Sequence, residues 1–182
     1  MTATSLIQEI DTPTQARVFE LTDDAYFKDS FQCQIDYQGE SAFDLYKVMV
    51  ETMPSWVNKL MALRNKIVKQ LGLKNLGQMA DFDVSKPESE YQVGDALGIF
   101  RIYSISRDEL IVEDKDKHLN VRLSFYVEPE REANKAKLIA TSVVHIHNNL
   151  GRVYMTFVGP VHKRIVPTSM KKIVKYQQQK YS

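Results

Sequence analysis

The sequence predicts a single α+β domain in which a curved antiparallel sheet packs against two short helices and a long C-terminal helix. Four consecutive strand patterns are separated by short polar turns, an arrangement typical of antiparallel hairpins. Two segments with apolar residues at helical spacing precede these strands, and one long segment of the same kind follows Asn149. The chain has 182 residues, 43% hydrophobic and 26% charged, which is ordinary for one globular domain.

The N-terminal third predicts an arm, one strand and two helices. Residues 1–27 show no sustained period, so we expect an arm with one short strand at 16–21, and a single domain over residues 28–182. Residues 31–37 alternate as a half-buried strand. Ser41 and Asp44 have capping-box spacing before the first helix. A second helix begins near Pro54 and ends at Gly72, with Trp56 expected in the core; residues 73–96 form a long connection.

The C-terminal half predicts a meander followed by a helix. The four strand patterns cover residues 97–104, 109–113, 118–128 and 137–147. The final helical stripe runs from Leu150 to Val174, and Gly159, Pro160 and Pro167 should kink or break it. Strand, two helices, meander and final helix is the order of the helix-grip architecture, in which the sheet and the last helix often enclose a cavity.

The composition excludes several classes of protein. One cysteine, Cys33, allows no internal disulfide, and we interpret it as a small, partly buried residue. No stretch approaches the roughly 20 apolar residues of a membrane span, and the first residues lack the features of a signal peptide, so we expect a cytoplasmic protein.

The charge is unevenly distributed. The net charge is +1, yet no acidic residue follows Glu132, and nine lysines and arginines do. Such a region is either a solvated helix face or a surface for an anionic partner, and the first interpretation is favoured. Binding to nucleic acid is therefore not expected.

The candidate ligand-binding residues come from the third strand pattern and the final helix. The apolar face of that strand would line the cavity through Leu119, Val121, Leu123 and Phe125. A second set could meet the polar head of a ligand, since Arg offers a fork to a carboxylate or phosphate. Its members are Arg152, Tyr154, His162 and Arg64. The two arginines could equally tie helix ends to the sheet.

Three histidines are weaker candidates for a metal site. His145 and His147 point to one face of a strand, and a hairpin centred near residue 132 would bring His118 close to them. Three imidazoles can hold zinc with one open position. The favoured interpretation is that they lie on the wetter face and hydrogen-bond to turns or to Arg122, so no metal and no cofactor is expected.

Several segments of the chain resemble an uncharacterised bacterial family called domain of unknown function 2867. They are YFKDSF at 26–31, LMALRN at 60–65, GLK at 72–74, DKHL at 116–119, HNNLGRVYM at 147–155 and HKRIV at 162–166. The resemblance extends from about Tyr26 to about Ile173. The family is similar in turn to the START-like superfamily of polyketide cyclases and lipid carriers. That similarity implies a helix-grip fold with an internal pocket, but no particular reaction.

The leading functional hypothesis is the binding of a small hydrophobic or lipid-like molecule between the sheet and the final helix. One alternative is a cyclase or hydratase-type enzyme that uses the same pocket, with His162 or Tyr154 moving protons. Another is an interaction module that presents the basic C-terminal helix to an anionic surface. An exposed apolar edge leaves a homodimer open.

Overall fold

The structure is a computed structural model. It describes residues 6–70, 81–131 and 134–182, without the side chains of Arg64 and of residues 67–70. The predicted α+β class is confirmed: the described residues form one antiparallel sheet and three α-helices.

The sheet has seven strands in the described part of the chain. They are β1 (Gln8–Ile10), β2 (Phe27–Asp36), β3 (Ala96–Leu97), β4 (Phe100–Ile105), β5 (Glu109–Lys115), β6 (Leu119–Pro129) and β7 (Lys135–Ile146). Their order is β1-β2-β7-β6-β5-β4-β3, and every neighbouring pair is antiparallel. The predicted meander is thus confirmed, and β2 closes back beside the last strand of that meander.

The helices are α1 (Ala42–Glu51), α2 (Ser55–Gln70) and α3 (Asn149–Lys180). The predicted capping box starts α1: the Ser41 hydroxyl accepts from the Asp44 N–H at 3.1 Å, and the Asp44 carboxylate accepts from the Ser41 N–H at 3.2 Å. Of the two outcomes expected at the prolines of α3, a kink or a break, the break is wrong, because the helix continues through Pro160 and Pro167. A proline removes one helical hydrogen bond, and burial of the helix against the sheet offsets that cost.

The two faces of the sheet are covered by different parts of the chain. The helix face is the one covered by α1 and α3, and its core includes Phe31, Phe125 and Met170. The arm face is the opposite one, where Ala16 and Val18 of the N-terminal arm pack against the sheet. Both faces are therefore buried over much of their length.

The strand expected at residues 16–21 is wrong. Arg17–Leu21 forms a 3₁₀ helix, and the Glu109 carboxylate explains why. It accepts hydrogen bonds from the N–H groups of Arg17 at 2.6 Å and Val18 at 3.1 Å. These are the free donors at the start of a helical turn, so the carboxylate stabilises a helix there. The one strand in the described part of the arm is β1, which pairs with β2.

The second helix departs from its expected packing. Trp56 is 39% exposed, so its expected place in the core is wrong, and the buried residue of that turn is Val57. Successive helical residues point about 100° apart, so only one of the two neighbours can face inward. The expected C-terminal stop at Gly72 and part of the connection at 73–96 lie outside the described residues.

The C-terminal end of α3 is tied to the turn after β2. The Glu40 carboxylate accepts hydrogen bonds from Tyr181, from the Lys180 ammonium at 3.0 Å and from the Gln38 N–H at 2.9 Å. The buried Gln177 side chain donates to the Asp36 carbonyl at 3.2 Å. Burial raises the pKa of Glu40, but the hydrogen bonds lower the pKa by more than burial raises it. The net result is a pKa of about 2 instead of the ordinary 4.5.

We expect Glu40→Gln to destabilise the protein at neutral pH, and we expect the loss of stability to be smaller in acid. The folded state keeps Glu40 ionised down to a pKa of about 2, whereas an unfolded chain protonates it near 4.5. The stabilisation is therefore complete above about 4.5 and is lost as the pH falls towards 2. Urea unfolding of both proteins between neutral pH and about pH 2.5 measures this. The exposed Glu51→Gln is the control; a difference between wild type and Glu40→Gln that grows in acid would contradict the assignment.

Candidate functional site

A cavity of about 70 Å³ lies between the helix face of the sheet and α3. Its walls are mostly apolar and come from α1, the turn after α1, β6, β7 and α3. The side chains that define it are Met49, Met53, Leu123, Phe125, His162 and Met170. A pocket was predicted between the sheet and the last helix, and the structure has a cavity at that place.

Two sequence periods bring these side chains together. Leu123 and Phe125 are two residues apart on β6, so both point to the helix face. His162, Val166 and Met170 are spaced by four residues on α3, which places them on the side of the helix that faces the sheet.

The size of the cavity limits what it can hold. Pockets for drug-sized molecules occupy about 300–1,000 Å³, whereas this cavity of about 70 Å³ has room for only a few non-hydrogen atoms. Met49, Met53 and Met170 form part of its wall. Methionine side chains are flexible and repack easily, so a somewhat larger guest can be admitted by rotamer changes.

An acidic and a basic side chain meet at the edge of the cavity. The Asp29 side chain on β2 is 0% exposed, and its Oδ2 lies 3.7 Å from Nδ1 of His162, which is 20% exposed. Neither Asp29 oxygen nor His162 Nδ1 has a hydrogen-bond partner among the described residues. The Phe27 ring meets the imidazole edge to face, with the centroids 6.2 Å apart. On β7, Ser142 pairs with Asp29 and lines the cavity.

The structure brings only some of the predicted ligand-binding residues to this cavity. Leu123, Phe125 and His162 line it. Leu119 and Val121 are on the same face of β6, but they pack with Val144 and Met155 in a neighbouring cluster nearer the start of α3.

The predicted polar cluster is not assembled around His162. Arg152 is exposed and lies ten residues before His162, a rise of about 15 Å along α3. Tyr154 is half-buried beside Leu119 and Val144. The Arg64 side chain lies outside the described residues. His162 is the member of this set that lines the cavity.

The rings of two of the three histidines considered for a metal site have hydrogen-bonding partners. His145 Nε2 lies 2.9 Å from the Asp23 carbonyl oxygen, and His118 Nδ1 lies within hydrogen-bond distance of the Asn148 amide. The backbone N–H of His147 donates to the His118 carbonyl at 2.9 Å, so the hairpin does bring His118 close to His147 as predicted. Within the described ranges, no three histidine, cysteine or acidic side chains are grouped as metal ligands.

Asp29 is the functional candidate that the sequence analysis missed. The predicted strand began at residue 31, but β2 begins at Phe27. The alternation of Phe31, Cys33 and Ile35 can be extended backwards, and it then places Asp29 on the same buried face. An acidic residue in an apolar series is the signal that could have identified it.

Close contacts hold the start of α3 against the turn between β5 and β6. The Asn148 side chain caps the helix by accepting from the Gly151 N–H at 3.2 Å, and its amide also lies beside His118. A Cβ atom on Gly151 would lie 2.4 Å from the His118 carbonyl oxygen. These residues belong to two segments that carry the family resemblance, DKHL and HNNLGRVYM, and their contacts hold the start of α3 against the turn between β5 and β6.

Comparisons with known proteins identify the family of this chain but give no information about the site. Curated proteins and solved structures give no match to this chain. A family of unknown function matches residues 21–169, close to the predicted extent of the resemblance. The chain therefore belongs to the family described as "Protein of unknown function (DUF2867)".

Proposed function

We propose that the protein binds a small, largely apolar molecule in the cavity between the helix face of the sheet and α3. The observation that carries the proposal is the cavity itself, whose described lining is mostly apolar and includes one ionisable side chain, His162. Binding sites of this kind combine a mainly hydrophobic lining with a few polar groups that orient the ligand.

The topology supports a helix-grip, START-like architecture as the basis for this function. A long antiparallel meander leads directly into α3, and β2 and β7 are neighbours. Because α3 packs against β2 and α1, its central part lies over the helix face. Folds do not specify ligands, so the proposal rests on the cavity rather than on this similarity.

Methyl NMR of methionine-labelled protein tests the proposal. Titration with 1-butanol, a probe of five non-hydrogen atoms, is expected to shift the methyl signals of Met49, Met53 and Met170. Met155, which is buried in a different cluster, is the internal control. Equal shifts at all four methyls, or none at the three cavity positions, would contradict the proposal.

A cavity-filling variant provides the matched control. Ala140 lines the cavity on β7, and Ala140→Val adds two carbon atoms there with a side chain that suits a strand. We expect this variant to stay folded and to bind 1-butanol at least about tenfold more weakly, since little free volume is left. An unchanged affinity of Ala140→Val for 1-butanol would show that the alcohol binds outside this cavity.

A second candidate function is an enzyme of the cyclase or hydratase type. It is favoured by one observation, the imidazole of His162 in the cavity wall with a buried carboxylate behind it. Such a base could remove a proton from carbon next to a carbonyl group: the C–H bond breaks, the proton moves to the imidazole, and the electron pair moves to the carbonyl oxygen.

Hydrogen exchange of 2-butanone in D₂O tests this chemistry without a known substrate. The wild type is expected to exchange the protons next to the carbonyl about 10²-fold faster than His162→Gln, the usual contribution of a general base. His145→Gln, which alters an imidazole on the arm face, should behave as wild type. Equal rates for the wild type and His162→Gln would exclude the enzyme hypothesis for this class of probe.

Part of the basic C-terminal region is engaged in ion pairs within the chain. Four of its nine cations lie within 4 Å of a carboxylate. The pairs are Lys135 with Asp36, Lys137 with Glu128, Lys163 with Glu9, and Lys180 with Glu40. Of the helices in the described ranges, none combines the length and the apolar character needed to cross a bilayer.

A further inference from the structure

Asp29 is an unusual residue for a sheet core. Its side chain is 0% exposed, and both carboxylate oxygens are without a hydrogen-bond partner among the described residues. Burying a carboxylate that receives no hydrogen bond is strongly unfavourable, and such groups in native proteins call for an explanation. The nearest charge partner is His162, whose 3.7 Å distance exceeds a hydrogen bond.

The geometry gives the two residues different roles. Asp29 lies behind His162, and it is the imidazole that reaches the cavity. Nδ1 is buried and lies 3.7 Å from Oδ2 of Asp29, whereas the side chain as a whole is 20% exposed and lines the cavity, so Nε2 is the ring nitrogen left for a ligand. A carboxylate beside Nδ1 favours the tautomer with the proton on that nitrogen, which leaves the lone pair on Nε2. The edge-to-face contact with Phe27 helps to hold the ring in this orientation.

We propose that Asp29 orients His162 so that its Nε2 accepts a hydrogen bond from a hydroxyl group on the bound ligand. The ligand class is a small molecule with an apolar body and an O–H group at one end. This inference rests on the proposed function, because the cavity is where such a hydroxyl would arrive. Asp29 is a positioning residue, and His162 is the residue that touches the ligand.

The charge of the pair favours a hydroxyl over an acid. The carboxylate of Asp29 lies 3.7 Å from the imidazole of His162, so a ligand carboxylate at His162 would be repelled by it. A neutral hydroxyl can donate to Nε2 without adding a charge to this buried region. An ether of the same size lacks that donor and would leave Nε2 unpaired.

The tautomer of His162 can be observed directly in the full chain. In ¹⁵N-histidine-labelled protein at about pH 8, where an ordinary imidazole is neutral, two-bond ¹H–¹⁵N correlations identify the protonated nitrogen of each ring. His162 is expected to carry its proton on Nδ1. His145 should show the opposite tautomer, since its Nε2 donates to the Asp23 carbonyl. A proton on Nε2 of His162, in a neutral ring or in an imidazolium, overturns the inference.

Asp29→Asn and a pair of isomeric probes complete the test. The asparagine amide can donate to Nδ1, so the variant is expected to move the His162 proton to Nε2. For the wild type, 1-butanol should bind about fivefold more tightly than diethyl ether, which has the same atoms but no O–H group. Asp29→Asn and His162→Leu should each remove that preference while still binding the ether.

The outcomes separate this inference from the proposed function. If neither probe shifts the methyl signals of Met49, Met53 and Met170, the binding proposal fails. If both probes shift them with equal affinity for the wild type, the cavity binds ligands but the role of the Asp29–His162 pair is refuted. A preference for the alcohol that persists in Asp29→Asn refutes the positioning role.

Discussion

Replacing Gly151 by alanine is expected to destabilise the protein by about 3 kcal/mol, the upper end of the usual cost of overpacking a core. The new Cβ would lie 2.4 Å from the His118 carbonyl oxygen and 3.1 Å from Cγ2 of Ile146. A backbone carbonyl in a sheet turn cannot move aside as a flexible side chain can. The first turn of α3 would therefore have to shift away from the sheet, and the capping bond from Gly151 to Asn148 would be strained.

Gly159→Ala is the matched control for this prediction. Gly159 lies in the same helix, and apart from its chain neighbours the one described side chain within 4 Å of a Cβ there is Met155, whose Cε would lie 4.0 Å away. The higher helix propensity of alanine is opposed by the contact of its Cβ with Cδ of Pro160, so this variant should change the stability by less than about 1 kcal/mol in either direction. Guanidinium unfolding of the three proteins measures both effects. Similar stabilities for Gly151→Ala and Gly159→Ala would show that α3 does not begin against the β5–β6 turn as described.

Replacing Glu109 by alanine is expected to cost about 4 kcal/mol and to release the N-terminal arm from the sheet, because hydrogen bonds to a buried charge are worth about 1.5–3 kcal/mol each. Its carboxylate is buried on the arm face and accepts from the N–H groups of Arg17 and Val18 and from the Ser124 hydroxyl, the last at 2.7 Å. Alanine would leave three donors without their acceptor.

Hydrogen exchange of the Val18 amide and chemical unfolding together measure this effect. Glu20→Ala removes an exposed acidic residue from the same 3₁₀ helix and should change stability by less than about 0.5 kcal/mol. Glu109→Ala should also speed exchange at Val18, whereas the cavity methionines keep their NMR signals. Equal stabilities for the two variants would contradict the role given to Glu109.

Much of the fold follows from local patterns in the sequence. The alternation from Leu119 to Val127 specifies β6 and the face that it buries, because side chains of a strand alternate between faces. Ser41 and Asp44 specify the start of α1, since both capping hydrogen bonds are made within four residues. Helix α3 is also signalled by its apolar spacing, although its prolines suggested a break.

The errors arose where distant residues decide the local structure. The Arg17–Leu21 segment is helical because Glu109, about ninety residues later, supplies its acceptor. Trp56 and Arg152 turn outward because their neighbours Val57 and Gly151 take the inward positions. The spacing of apolar residues in the sequence shows that a helix has a buried side. It does not fix the rotation of the helix about its axis to within one residue.

The candidate site was predicted in part. His162, Leu123 and Phe125 were identified from the sequence, and the structure places all three at the cavity. Asp29 was missed because an acidic residue interrupts the apolar alternation that marks a buried strand face. Its contact with His162 joins residues 133 positions apart, and only the pairing of β2 with β7 and the packing of α3 bring them together.

Xenon binding to crystals of the full chain tests the central claim most directly, because xenon enters apolar cavities without needing a polar partner. A xenon atom is expected under α3, among Met49, Leu123 and Met170, and it should be absent from Ala140→Val. Xenon bound only at other places, or a helix packed against the sheet with no space for the atom, would contradict this claim.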